Sequence, residues 1–177
     1  MPTRERVTFA NKDGAQLAAT LELPDAKINY YALFAHCFTC GKDIIAATRI
    51  ANTLTLNGVA VLRFDFTGLG DSQGDFSDTN FTSNVYDLVS AAEYLRNNYQ
   101  APQLLIGHSL GGTAALHAAS DILECKAVVT IGSPANANHL LHLFKREVEN
   151  IQKDGVAIVE IAGRNFNIEK QFIEDLE

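Results

Sequence analysis

Apolar positions along the chain fall into two rhythms. Tyr30 to Ala35 and Val59 to Phe64 are short apolar runs that read as strands buried on both faces, as in a parallel sheet, and Gln103 to Ile106, Ala127 to Ile131 and Val156 to Ile161 read as further strands. Between them lie segments with helical spacing. Lys42 to Asn57 carries a loose stripe through Ile45, Thr48, Ile50 and Leu54, and Gly58 stands where a C-terminal helix cap belongs. Thr82 to Asn98 is the clearest helix, with Val85, Leu88, Val89, Ala92 and Leu95 on one stripe and Thr82 or Ser83 placed to cap it. Leu110 to Ser120, Ala135 to Asn150 and Ile168 to Leu176 read as further helices, with Gly163-Arg164 as a turn. Near the N-terminus, Val7-Thr8-Phe9 and Leu17 to Leu23 flank Asn11-Lys12-Asp13-Gly14, the pattern of a β-hairpin; Pro24 and Asp25 close its second strand. Strands alternating with helices predict an α/β fold with a mostly parallel sheet, helices on both faces and an N-terminal hairpin. In such sheets ligands bind beyond the carboxyl ends of the strands.

Composition narrows the picture. The 177 residues suggest one domain, and at 47% hydrophobic residues the chain can bury a core without staples. A net charge of −7 with no basic stripe argues against a nucleic-acid partner. No apolar run approaches the ~20 residues of a membrane span. Met1 to Arg6 lead into no apolar segment of the secretory type, so the expected location is cytoplasmic. The three cysteines, Cys37, Cys40 and Cys125, are few and odd in number, which fits reduced thiols. No metal site and no cofactor are expected.

The candidate chemistry centres on Gly107-His108-Ser109-Leu110-Gly111, which matches G-x-S-x-G. That motif needs a sharp strand-to-helix turn that exposes the serine, with small residues two before and two after it. The strand before and the helix after are both expected here, and Gly112 adds room for close packing. The free N–H groups at the helix start favour developing negative charge, with the Leu110 N–H as one oxyanion donor. Cys37-Phe38-Thr39-Cys40 lies between a strand and a helix, the setting of thioredoxin-like redox sites. The serine turn has no place in that fold, and there is no second C-x-x-C for zinc. The pair is expected to shape its loop, with redox sensing as a secondary expectation. Gly68 to Gly74 approaches a dinucleotide fingerprint, but its third glycine is one residue late and no helix starts there. Asp65 is expected to accept loop N–H groups.

At His36-Cys37-Phe38 the chain resembles the α/β-hydrolase family, many members of which carry His-Gly-x here. The resemblance implies that the Phe38 N–H is the second oxyanion donor, although Cys37 replaces the common glycine. Three blocks occur in order, His36 to Cys40, Arg63-Phe64-Asp65-Phe66-Thr67-Gly68-Leu69-Gly70, and Gly107 to Gly112, followed by the ending Gln171 to Leu176. Together they resemble the N-terminal hydrolase part of bacterial α/β-hydrolase/OsmC-like fusion proteins. This implies an α/β-hydrolase fold and a serine hydrolase of small acyl or ester substrates, with Ser109 attacking. The alternative is a non-catalytic hydrolase-fold module associated with an OsmC-like peroxide-defence domain. The family order is Ser, then Asp or Glu, then His. After Ser109 come only His117, His139 and His142, each expected on a helix surface, and Asp154 and Asp175 follow all three. The resemblance therefore implies a chain incomplete at its C-terminus, with the last strands, the acid and the base beyond Glu177. A sheet cut short in this way exposes an edge, and self-association through that edge is the corresponding expectation.

Overall fold

The computed structural model describes residues 3–143, 147–161 and 163–176. Its main sheet has six strands in the order β1-β2-β4-β3-β5-β6. β1 (Thr3–Ala10) and β2 (Gln16–Leu23) form the expected hairpin, with Phe9 paired to Leu17. Asn11 Oδ1 accepts the N–H groups of Asp13 and Ala15 across the turn, and Gly14 supplies a φ of +88°. β2 runs antiparallel to β4 (Val59–Phe64). β3 (Tyr30–Ala35) lies parallel between β4 and β5 (Leu104–His108), and β6 (Ala127–Ile131) closes the order.

Helices cover both faces, as the alternation predicts. α1 (Ile45–Leu56) packs Ala47 and Ala51 on one face against Ala32, Phe34, Val61 and Ile106. α2 (Phe81–Asn98) and α3 (Leu110–Ala118) cover the other, where Leu33, Leu62 and Leu105 meet Leu88, Leu95 and Ala115. Gly58 follows the α1 cap at a φ of +80°, in its expected place. The cap of α2 differs from expectation. Asn80 holds that position: its Oδ1 accepts the Ser83 N–H at 2.7 Å, and Ser83 Oγ accepts the Asn80 N–H at 3.0 Å.

The C-terminal part departs further from the sequence pattern. Ala135 to Asn150 is not one helix. A short 3₁₀ helix (Ala137–Leu143) and α4 (Val148–Asp154) occupy the region, and residues 144–146 lie outside the described residues. Asn136 and Asn138, which compete for backbone hydrogen bonds, weaken an α-helical start there. β7 (Val156–Ile161) does not extend the main sheet. It pairs antiparallel with β8 (Arg164–Glu169), and α5 begins only at Lys170 (Lys170–Leu176). The signal for β8 is the alternation that buries Phe166 and Ile168 and exposes Asn165 and Asn167.

β6 is thus the edge of the main sheet among the described residues, with Val129 and Ile131 exposed. No helix among the described residues is long and apolar enough to cross a membrane.

Candidate active site

β3, β4 and β5 are parallel, so the segments leaving their carboxyl ends share one edge of the sheet. Those segments are 36–44, 65–80 and the turn at Ser109.

Ser109 stands between β5 and α3 with φ +54° and ψ −125°. A non-glycine residue in the left-handed region costs of order 1–3 kcal/mol and persists only where its surroundings enforce it. Here the Ser109 N–H donates to the Ile131 carbonyl at 2.9 Å, tying the turn to β6. The two flanking glycines allow the close packing. A Cβ on Gly107 would lie 2.3 Å from the Gly111 carbonyl oxygen, and one on Gly111 would lie 2.3 Å from the His36 carbonyl oxygen. This second approach presses the start of α3 against the loop after β3. Leu110 is the first residue of α3, where the N–H has no partner within the helix. Leu110 and Phe38 line one pocket, together with His36, Cys37, Phe66 and Gly111. The structure therefore brings Phe38, Leu110 and Gly111 together around the turn. His108 is half-buried, with Nδ1 buried and without a hydrogen-bond partner among the described residues.

Each loop is held by a buried polar group. His36 has no exposed surface. Its Nδ1–H donates to the Cys37 carbonyl at 2.8 Å, and Nε2 accepts the Phe66 N–H at 3.4 Å, which fits the neutral ring. Burial pushes its pKa below the ordinary 6.5 and outweighs the Cys37 hydrogen bond and the Asp65 carboxylate, which act the other way. Asp65 accepts the Lys42 N–H at 2.6 Å and the Asp71 N–H at 3.0 Å, in the loop-holding role expected of it. Gly70 lies close beneath it, where a Cβ would meet Asp65 Oδ2 at 2.2 Å. Lys42 Nζ donates to Asp65 and Asp71, both at 2.7 Å. Burial alone would favour the neutral amine, but these two carboxylates raise its pKa and keep it protonated.

The cysteines differ from expectation. Cys37 and Cys40 are joined as a disulfide, and Cys125 alone is free. The bond closes a tight turn in which the Cys40 N–H donates to the Cys37 carbonyl at 3.0 Å and Thr39 takes a φ of +63°. From β8, Arg164 Nη1 donates to the Thr39 carbonyl at 2.9 Å. Phe166 meets Phe76 and Phe76 meets Phe38 edge-on, and Phe172 meets Phe38 at a tilt, each at a centroid distance of 5.3 Å. The C-terminal hairpin and α5 thus hold the same loop from outside.

Three histidines follow Ser109, and they engage elsewhere. His117 is exposed on α3 with its ring edge-on to Phe81 at 5.1 Å. His139 and His142 are exposed and pack against each other at 5.3 Å. Among the described residues no group of three or more His, Cys, Asp or Glu side chains could hold a metal ion. Two residues that the sequence pattern does not single out belong to the site. Arg164 is one, and it sits in the missed strand. Asn84 is the other; its signal is a polar residue on the buried stripe of α2, one turn before Leu88.

The neutral His36 has a measurable consequence. Between about pH 7.5 and 5.5 the unfolded chain protonates this histidine while the folded chain resists, so stability falls as pH drops below 6.5, by at most about 1.4 kcal/mol at pH 5.5. Urea unfolding at the two pH values is expected to show this loss in the wild type and a smaller one in His36→Asn. Equal losses in both proteins would refute it.

The strand order and the loops gathered at one sheet edge define the class as an α/β-hydrolase fold. The chain belongs to the Hydrolase_4 family (serine aminopeptidase, S33), whose family model matches residues 40–156, more than half of the chain. Among similar proteins, human mitochondrial palmitoyl-protein thioesterase ABHD10 is 34% identical over 97 residues, which are 55% of this chain and 30% of that protein. Bovine ABHD10 is 37% identical over 99 residues, 52% of this chain and 31% of that protein. The chain thus spans about a third of the length of these curated relatives. The esterase domain from a Rhodothermus marinus protein is 44% identical with a TM-score of 0.72, covering 99% of this chain and 68% of that one. Mouse ABHD10, at 22% identity and a TM-score of 0.77 over 97% of this chain and 69% of that one, shares the fold.

Proposed function

We propose that this chain carries the nucleophile and oxyanion hole of a serine hydrolase acting on small acyl esters or thioesters. Ser109 attacks the acyl carbonyl, and the N–H groups of Leu110 and Phe38 hold the oxyanion. The observation that carries this reading is the strained Ser109 turn pressed against the Phe38 loop through Gly111. Similarity to an esterase domain and to proteins named thioesterases supports the substrate class. The start of α3 contributes its dipole to the developing charge.

Among the described residues Ser109 Oγ has no hydrogen-bond partner, and the three downstream histidines make their ring contacts with Phe81 and with each other. Such a serine is a weak nucleophile, yet an oxyanion hole alone retains ~10³-fold catalysis over water when a triad is dismantled. Slow, stoichiometric labelling by a fluorophosphonate probe is therefore expected, and its loss in Ser109→Ala. Absence of labelling in both proteins would replace this reading with that of a non-catalytic hydrolase-fold module, a partner of an OsmC-like domain. In the same reading Cys37–Cys40 is a redox-sensitive brace for the loop that carries Phe38. Its reduction by dithiothreitol is expected to slow the labelling, and an unchanged rate would remove that role.

A further inference from the structure

Two non-glycine positions among the described residues take a positive φ: Ser109 at +54° and Thr39 at +63°. One is the proposed nucleophile, and the other directly follows the Phe38 donor. Thr39 is β-branched, so this conformation is an outlier that only its surroundings can hold. The Cys40 N–H donates to the Cys37 carbonyl at 3.0 Å, which makes Phe38 and Thr39 the two central residues of a tight turn. Glycine or asparagine is the usual residue at the second of these places when φ is positive. That hydrogen bond and the Cys37–Cys40 disulfide shape the turn from within. Neither sets where the turn stands relative to Leu110.

Arg164 restrains it from a different element. Its Nη1 donates to the Thr39 carbonyl at 2.9 Å, so the Thr39–Cys40 peptide is held at its carbonyl as well as at its N–H. The guanidinium lies over the Phe166 ring, 5.1 Å from its centroid, and Phe166 packs edge-on against Phe76. The hydrogen bond is thereby referred to the core and not to a free arm. Arg164 is itself exposed on β8, where a substitution ordinarily changes stability little.

We infer that Arg164 is a positioning residue for the oxyanion hole: it keeps Thr39 in its strained conformation and so holds the Phe38 N–H in place beside that of Leu110. This rests on the serine-hydrolase reading given above. A charge-assisted hydrogen bond from a rigid, planar guanidinium suits the task, being stronger and more directional than a neutral one. With Arg164 gone, the Thr39–Cys40 peptide is free to tilt, Thr39 relaxes toward negative φ, and the turn shifts against α3. The C-terminal hairpin, which does not join the main sheet, is in this way part of the reactive geometry.

The test measures two rates on the full chain: fluorophosphonate labelling at Ser109, and solvent exchange of the Cys40 N–H by NMR. Arg164→Ala is expected to slow labelling by about 30-fold, short of the ~10²–10³ that removal of a whole oxyanion donor costs. It should also speed exchange of the Cys40 N–H by about tenfold, because the released turn opens more often. Both effects should shrink to within about threefold in a Thr39→Gly background, since glycine takes a positive φ without a brace. A residue that merely packs would lose as much in either background. Rates unchanged in Arg164→Ala, or equal losses with and without Thr39→Gly, overturn the inference. If Arg164→Ala does not fold, Arg164→Gln, which keeps the length of the side chain without the charge, replaces it in both measurements. If the wild type does not label, the hydrolase reading fails, and the exchange rates alone decide whether Arg164 holds the turn.

Discussion

Gly107→Ala and Gly111→Ala are each expected to lower the unfolding free energy by about 3 kcal/mol, the upper range for overpacking a tight site. At both positions the new methyl group meets backbone, which cannot rotate away. On Gly107 it would lie 2.3 Å from the Gly111 carbonyl oxygen and 2.4 Å from the Gly112 Cα. On Gly111 it would lie between the carbonyl oxygens of His36 and Ala35, at 2.3 and 2.5 Å. Relief requires α3 to retreat from β3 and β5, and with it the Ser109 turn. Labelling at Ser109 should therefore disappear along with the stability. Gly155 is the control. It has a φ of +83°, but a Cβ there meets nothing within 4 Å. Gly155→Ala should cost about 1 kcal/mol, from backbone conformation alone. Urea unfolding of the three variants measures the contrast. A loss below about 1 kcal/mol at Gly107 or Gly111 would show that the helix yields easily.

Arg63→Met is expected to be at least as damaging, at about 3–5 kcal/mol, the range for stranding one member of a buried ion pair. Arg63 and Glu22 are each 1% exposed and meet across β2 and β4, with Nη2 donating to Oε1 at 2.8 Å. Arg63 Nη1 also donates to the Lys42 carbonyl and, at 3.0 Å, to Asp43. Without the guanidinium, Glu22 keeps among the described residues only the Arg4 ion pair, whose Arg4 side chain is 53% exposed and screened by solvent. Arg63 Nε and Glu22 Oε2 already lack partners among the described residues, so the pair is itself incompletely satisfied. The double variant Glu22→Leu with Arg63→Met should then recover most of the loss. A double variant as unstable as Arg63→Met alone would show that the damage comes from lost packing. The pair also bears on the site, because Lys42 and Asp43 end the segment that begins with His36.

Much of this fold is legible along the chain. The runs at Tyr30, Val59 and Ala127 become strands with the expected bounds; burial on both faces accounts for the uninterrupted apolar runs at Tyr30 and Val59, whereas Ala127 to Ile131 is apolar but exposed at the sheet edge. The C-terminal region is less legible for a physical reason. Val156 to Ile161 is the same kind of run, yet Ile158 is exposed and the strand forms a hairpin outside the main sheet. Composition does not say which neighbour a strand will choose. β8 is harder still, since Asn165 and Asn167 are poor strand formers and only Phe166 and Ile168 mark its buried face. At the site, Gly107 to Gly111 stands out because the turn demands those residue types. Asn80 is eclipsed as a cap by the neighbouring Thr82 and Ser83. Asn84 hides within a helical stripe, where a single polar residue reads as noise until its burial is known.

The strand order places β3 at the centre, between β4 and β5, with long stretches of chain separating the partners. A hairpin such as β1–β2 needs only local contacts. The three loops of the site become neighbours only after two crossovers have closed, each against the entropy of its intervening chain. The reactive geometry is therefore a property of the completed sheet. A fragment that lacks β3, β4 or β5 lacks one wall of the pocket, however well its remaining helices form.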